Sequence, residues 1–170
     1  LVTLLGTISE ERGTYLPSSM RLPAFLPELL VLVFHLAASQ AFCDGLCTQG
    51  ETAALIEGLL HVACQPPDHL REEHCSLLAA ATLLRLTAWR EVCLALNDDF
   101  EGDVPDDLPE FQGTTADLVA LAALKQAADH VTTAGASALH YGLVELHLCT
   151  LVNLSVFTEG LAMETCLRFF

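Results

Sequence analysis

The sequence predicts an all-α chain of stacked helical hairpins, an armadillo- or HEAT-like α-solenoid segment. Three observations carry this. Apolar residues recur at helical spacing in runs of ten to eighteen residues. β-branched residues do not alternate with polar ones, so strand signals are weak. The apolar fraction is 52% against 17% charged residues, which excludes disorder as the main state and exceeds the need of a small isolated domain. Helices apolar on more than one side suit a layered stack. No tetratricopeptide or ankyrin consensus is legible, so the weak-consensus HEAT and armadillo classes fit best.

Element by element, a first helix is expected over 1–8 and a turn at Leu16-Pro17-Ser18-Ser19. An apolar helix follows over 23–39, with Pro27 in its first turn, where a missing N–H costs nothing. Residues 42–47 read as a short helical turn. A helix over 51–64 is closed by Pro66-Pro67. Another covers 72–86, and 90–96 continues it or stands apart. After a break, a helix starts at Thr114 or Thr115, both good N-cap types, with Asp117 suiting the dipole of the first turn. It ends near Thr132. Further helices are expected over 134–152 and 155–170. All 170 residues are read as one helical segment, interrupted by an acidic loop over 97–113 that contains Pro105, Pro109, Gly102 and Gly113 and no Lys or Arg. The apolar termini, Leu1-Val2 and Phe169-Phe170, predict an internal piece of a longer protein.

Charge narrows the function. Seven Lys+Arg face 22 Asp+Glu, a net charge of -15. A nucleic-acid binder needs a basic face to displace phosphate counterions, and this chain has few residues to build one. The same charge opposes electrostatic docking on anionic lipid. The stretch 22–38 is apolar, but Pro23, Pro27, Glu28 and His35 interrupt it and it is shorter than a bilayer requires. The expectation is a buried helix.

No residue set announces chemistry. Seven Cys, an odd number, lie in apolar stretches. Cys64, Cys75, Cys93 and Cys149 are read as small buried residues, reduced as in a cytosolic protein. Cys43 and Cys47, four apart, share a helical face, and His61 and Cys64 lie downstream, but without a second CxxC buried thiols are preferred to zinc. His35, His140 and His147 are read as core or interface histidines. No phosphate loop, dinucleotide fingerprint or nucleophile elbow is present, and the pairs Asp98-Asp99 and Asp106-Asp107 lack an EF-hand pattern. Asn153-Leu154-Ser155 matches a glycosylation sequon, taken as chance in a helix. No metal, cofactor, small-molecule substrate or catalytic residue is therefore expected.

The loop carries the most specific pattern. Val104-Pro105-Asp106-Asp107-Leu108-Pro109-Glu110-Phe111-Gln112-Gly113-Thr114-Thr115-Ala116-Asp117-Leu118 resembles V-P-x-D-x-P-x-F-x-G-T-x-A-D-L, a signature of the high-temperature-induced dauer-formation (Hid) protein family. Thr14-Tyr15-Leu16-Pro17, Glu28-Leu29-Leu30-Val31-Leu32, Arg90 with Leu96-Asn97, and Val152-Asn153-Leu154-Ser155 are similar to further segments of that family, in the same order. The acidic run from Asp98 to Asp103 departs from it. The resemblance implies a peripheral protein on the cytosolic face of Golgi membranes, related in kind to dymeclin. Its implied work is vesicle trafficking and secretory granule biogenesis, without catalysis, through protein partners. It implies membrane attachment through parts outside this segment. A helical enzyme domain with active residues elsewhere is the alternative; a cleft of convergent polar groups would distinguish it. A membrane-embedded helical segment is a third option.

Physically, Pro105 and Pro109 stiffen the approach to α-helical structure at Thr114. Gly113 permits an unusual backbone conformation before the N-cap, and Asp117 supports the helix start. Phe111 is expected to be buried as the loop's anchor, with Asp98 to Asp103 exposed. Pro105, Asp107, Pro109, Phe111, Gly113, Thr114 and Asp117 thus form either a structural clamp between helical layers or a partner-binding loop.

Overall fold

Local signals set the helix limits, and long-range polar contacts lock the helices together. The computed structural model describes residues 25–64, 70–102, 104, 105, 108, 112–132, 138–162, 165 and 167, with the side chains of 70–73 excepted. Among these are seven helices and no strand: α1 Leu26–Leu36, α2 Gln40–Gln49, α3 Thr52–Ala63, α4 Leu70–Thr87, α5 Arg90–Ala95, α6 Thr115–Thr132 and α7 Ala138–Phe157. The all-α class is therefore correct. The expected helix over 1–8, the Leu16–Ser19 turn and the Pro66-Pro67 stop lie outside the described residues.

In α1, Pro27 occupies the first turn as expected. Leu26, Leu30, Val33 and the following Ala37 form one buried stripe at helical spacing. The helix stops at Leu36, short of 39. The next helix, α2, is longer than the turn read over 42–47. Asp44-Gly45 interrupts its apolar residues and Gln40, Thr48 and Gln49 flank them, and Gly50 ends it in the left-handed conformation, φ 71°. The Glu51 N–H reaches back to the Leu46 carbonyl at 3.1 Å, the wide loop of a Schellman stop. α1 and α2 are bent by 102° to each other, and no single helix among the described residues is long and apolar enough to cross a membrane.

The core is centred on α4, which packs against α1, α3, α5 and α7. On α3, Leu55, Ile56, Leu59, Leu60 and Val62 are all buried. Each such side chain contributes about 1.5–3 kcal/mol on burial. Arg85 of α4 lies 4.1 Å over the Phe34 ring and donates to the Phe34 carbonyl at 3.1 Å. Trp89 Nε1 donates to the Ala37 carbonyl at 2.8 Å. These two contacts satisfy carbonyls at the α1 terminus that have no intrahelical partner.

α6 and α7 make the most extensive helix pair and run antiparallel. His130 near the end of α6 meets His140 near the start of α7, ring centroids 5.4 Å apart. The start of α6 meets the segment after α7, where the Ala162 N–H donates to Asp117 at 2.8 Å. The helix expected to begin at Ser155 does not begin there; α7 runs through Ser155 to Phe157. No breaker stands before the Thr158-Glu159-Gly160 stretch, so the helix has no reason to stop at Val152. Hairpin pairs α3–α4 and α6–α7 are present. Because α4 also meets α1 and α7, the packing does not establish a one-dimensional solenoid.

Candidate functional site

The described part of the signature is built around the N-terminus of α6. Thr114 is the N-cap and Asp117 the third helical residue. The Asp117 N–H donates to Thr114 Oγ1 at 3.2 Å. In return Asp117 Oδ2 accepts from the Thr114 N–H at 2.9 Å and from its hydroxyl at 3.0 Å. This reciprocal capping box satisfies two helix-end donors at once. The other oxygen, Asp117 Oδ1, accepts from the Ala162 N–H at 2.8 Å. The carboxylate is only 1% exposed, yet both oxygens have donors, so its burial is compensated.

Gly113 is required by this arrangement for lack of room and not for an unusual backbone, since Gly50 is the one described glycine with a positive φ. A Cβ there would stand 2.7 Å from Asp117 Oδ2 and 3.0 Å from its Cγ. The carboxylate is held from three sides and cannot retreat. The backbone on either side is tied as well. Thr115 N–H donates to the Asp98 carbonyl, Ala116 N–H to that of Leu96, and Phe100 N–H to that of Gly113. Asp99 and Thr114 form an isolated antiparallel bridge.

Asn97 completes the junction. Its Nδ2 donates to the carbonyls of Leu94 at 3.3 Å and Phe157 at 3.2 Å, and its Oδ1 accepts from the Glu159 N–H at 3.0 Å. Asn97 and Asp117 therefore bind the same segment, 157–162, to the end of α5 and the start of α6. Asn153 makes a third link from α7, to the Leu84 carbonyl and the Thr87 hydroxyl of α4. Nothing local in the sequence identified the long-range partners of these asparagines, which lie 60 to 69 residues away.

Of the singled-out residues, Pro105 and Asp117 are buried, and Gly113 and Thr114 half-buried. Asp107, Pro109 and Phe111 lie outside the described residues, so the Phe111 anchor falls there too. The loop has other anchors. Leu108 belongs to the core, and Phe100 and Val104 pack against it. The Leu108 N–H closes a turn on the Pro105 carbonyl at 2.8 Å. Asp98, Asp99 and Glu101 are exposed.

The thiols divide. Cys43 and Cys93 are buried and donate to the carbonyls of Ala37 and Thr87. Burial pushes both thiols up to about 11, with the neighbouring Cys47, Asp44 and Glu91 adding to the rise at Cys43. Cys64 and Cys75 are also buried, but Cys149, expected to be buried, is exposed on the outer side of α7. That helix is apolar on both sides, so spacing alone did not identify its inner face. Among the described residues no group of three His, Cys, Asp or Glu side chains is placed to hold a metal ion.

His147 is buried in the α6–α7 hairpin and its ring stacks on His130, centroids 6.3 Å apart. Burial first, and the neighbouring His130 second, lower His147 to about 4. Burial, then His140, also lowers His130, against an opposing pull from Asp129. His147 is a core histidine and His130 is half-buried beside it, and both stay neutral at neutral pH.

The model of the high-temperature-induced dauer-formation protein family matches residues 7–170, and the chain belongs to that family. No curated protein and no solved structure matches the chain.

Proposed function

We propose that this member of the high-temperature-induced dauer-formation protein family is a non-catalytic helical scaffold of a peripheral protein on the cytosolic face of Golgi membranes. In this reading it serves vesicle trafficking and secretory granule biogenesis by holding protein partners. Family membership across residues 7–170 is the observation that carries the reading. The chemistry of the signature supports it. Asp117 has both oxygens occupied by backbone and hydroxyl donors, and Asn97 bridges the end of α5 to the segment at Phe157 and Glu159. Groups used in this way position helices; they are not presented for proton transfer or nucleophilic attack. Attachment to the membrane and the identity of the partners belong to the full-length protein.

The test is rescue in secretory cells lacking the protein. Tagged full-length protein should coincide with a Golgi marker and restore granule cargo. A uniformly cytosolic or mitochondrial distribution, with granule cargo unchanged by loss of the protein, would contradict the proposal.

A further inference from the structure

Among the described residues, the outer face of α7 is largely apolar and exposed. Tyr141, Leu148, Val152 and Val156 are 66%, 48%, 64% and 65% exposed. Their spacing of seven, four and four residues places them on one stripe, about 22 Å long at the α-helical rise. The opposite side of the same helix buries Leu143, His147, Thr150 and Leu154. A surface helix ordinarily carries polar residues outward. This one presents large apolar side chains in a row, as an interaction surface does.

Charge identifies the occupant. α7 contains no Lys or Arg. Glu145 is exposed within the stripe, and Glu159 is exposed just beyond its C-terminal end. The Asn97 links to Phe157 and Glu159 bring the exposed Asp98 and Asp99 to that same end. The partial negative charge of the helix C-terminus adds to these carboxylates. An apolar stripe with one strongly negative end complements an amphipathic helix that has Lys or Arg at one end. A second copy would bring a net charge of -15 against -15, and anionic lipid would be repelled likewise.

We infer that the outer face of α7 docks a basic amphipathic helix of a protein partner, its apolar side on Tyr141, Leu148, Val152 and Val156 and its cationic end over Glu159, Asp98 and Asp99. The inference rests on the scaffold reading and names the chemistry of one of its partners. Helix-in-groove recognition of this kind takes affinity from the apolar anchors and orientation from the charges.

Fluorescence anisotropy of the whole chain tests it, with a synthetic helical peptide of about 16 residues, the length that covers the stripe. The peptide carries leucines on one side and lysines at one end; a control replaces the lysines with glutamates. The lysine peptide should bind at least about tenfold more tightly than the control, and Val152→Asp should weaken it about tenfold at an unchanged melting temperature. Glu159→Lys should weaken it and flatten its salt dependence. Equal binding of the two peptides, or indifference to Val152→Asp, overturns the inference. So does a dimer in sedimentation, or binding to phosphatidylcholine vesicles, that Val152→Asp abolishes, because either puts a different occupant on this face. Failure here with Golgi localisation and granule rescue intact removes the α7 site alone. Failure of localisation and rescue removes the scaffold reading itself.

Discussion

The α5–α6 junction and the outer face of α7 treat their side chains in opposite ways. At the junction, polar groups turn inward and find partners: Asp117 is buried with both oxygens occupied, and Asn97 ties the end of α5 to the segment at Phe157 and Glu159. On α7, apolar groups turn outward and meet nothing among the described residues, with Tyr141, Val152 and Val156 all more than half exposed. The junction carries the family signature in the sequence, and its described side chains point to a structural role. α7 carries only a four-residue resemblance, and its outer face has the character of a contact surface. Sequence motif strength and availability to a partner are therefore different properties. An unsatisfied buried carboxylate is costly, which makes a clamp residue intolerant of change. An exposed valine can change with little effect on the fold.

Substitutions can break this contrast. The largest effect is expected for Asp117→Ala, which strips the cap from α6 and leaves the Ala162 and Thr114 donors without partners. Lost charge-assisted bonds and a lost cap together predict about 3–5 kcal/mol of destabilisation in urea unfolding. Loss below about 1 kcal/mol would mean the junction is not a clamp.

Acid should come next. The unfolded chain protonates His147 near its ordinary value of 6.5, whereas the folded chain holds it neutral down to about 4. Between those values the unfolded state binds more protons, so stability is full above pH 6.5 and falls as pH drops towards 4. The expected loss by pH 4 is about 3 kcal/mol, at 1.36 kcal/mol per pKa unit. His130, also lowered, acts in the same direction. Comparing urea unfolding of the wild type and His147→Gln across this range isolates the histidine from the carboxylates. Parallel pH profiles would show that His147 is not held neutral by the fold.

Gly113→Ala sharpens the description of the junction. Its Cβ would press on a carboxylate that cannot move, and the expected cost is about 1–3 kcal/mol by overpacking. Pairing it with Asp117→Ala should give less than the sum of the two, because the clash disappears with the carboxylate. The smallest effect belongs to Val152→Asp, within about 0.5 kcal/mol of wild type, since an exposed position away from the core tolerates a charge. A cooperative loss of several kcal/mol there would show that the outer face of α7 is part of the core.

The sequence yielded the parts of this fold that depend on near neighbours. Pro27 in the first turn of α1, the α3 limits within a residue of 51–64, and the Thr114 and Asp117 start of α6 are local chemistry and are where they were expected. Of the signature residues, Gly113, Thr114 and Asp117 meet at the start of α6. Three things were not legible. In α2, polar Gln40, Thr48 and Gln49 flank the apolar residues, so spacing showed the middle of the helix and not its ends. α7 is apolar on both sides, so spacing did not separate the buried Leu154 from the exposed Cys149. The Asn97, Asp117 and Asn153 contacts close across 45 to 69 residues, a distance that no local pattern encodes.

The clamp can be observed at a single amide. The Ala162 N–H donates to Asp117 Oδ1 across 45 residues and lies outside any helix-internal hydrogen bond, so its hydrogen-exchange protection reports the junction itself. Exchange followed residue by residue in the wild type and in Asp117→Ala, under conditions where both remain folded, should show protection of Ala162 in the first. In the second that protection should vanish, while the amides of the α3 and α4 cores stay slow. Equal protection of Ala162 in both proteins would contradict the account, because the carboxylate would then not be what holds the segment after α7 against the start of α6.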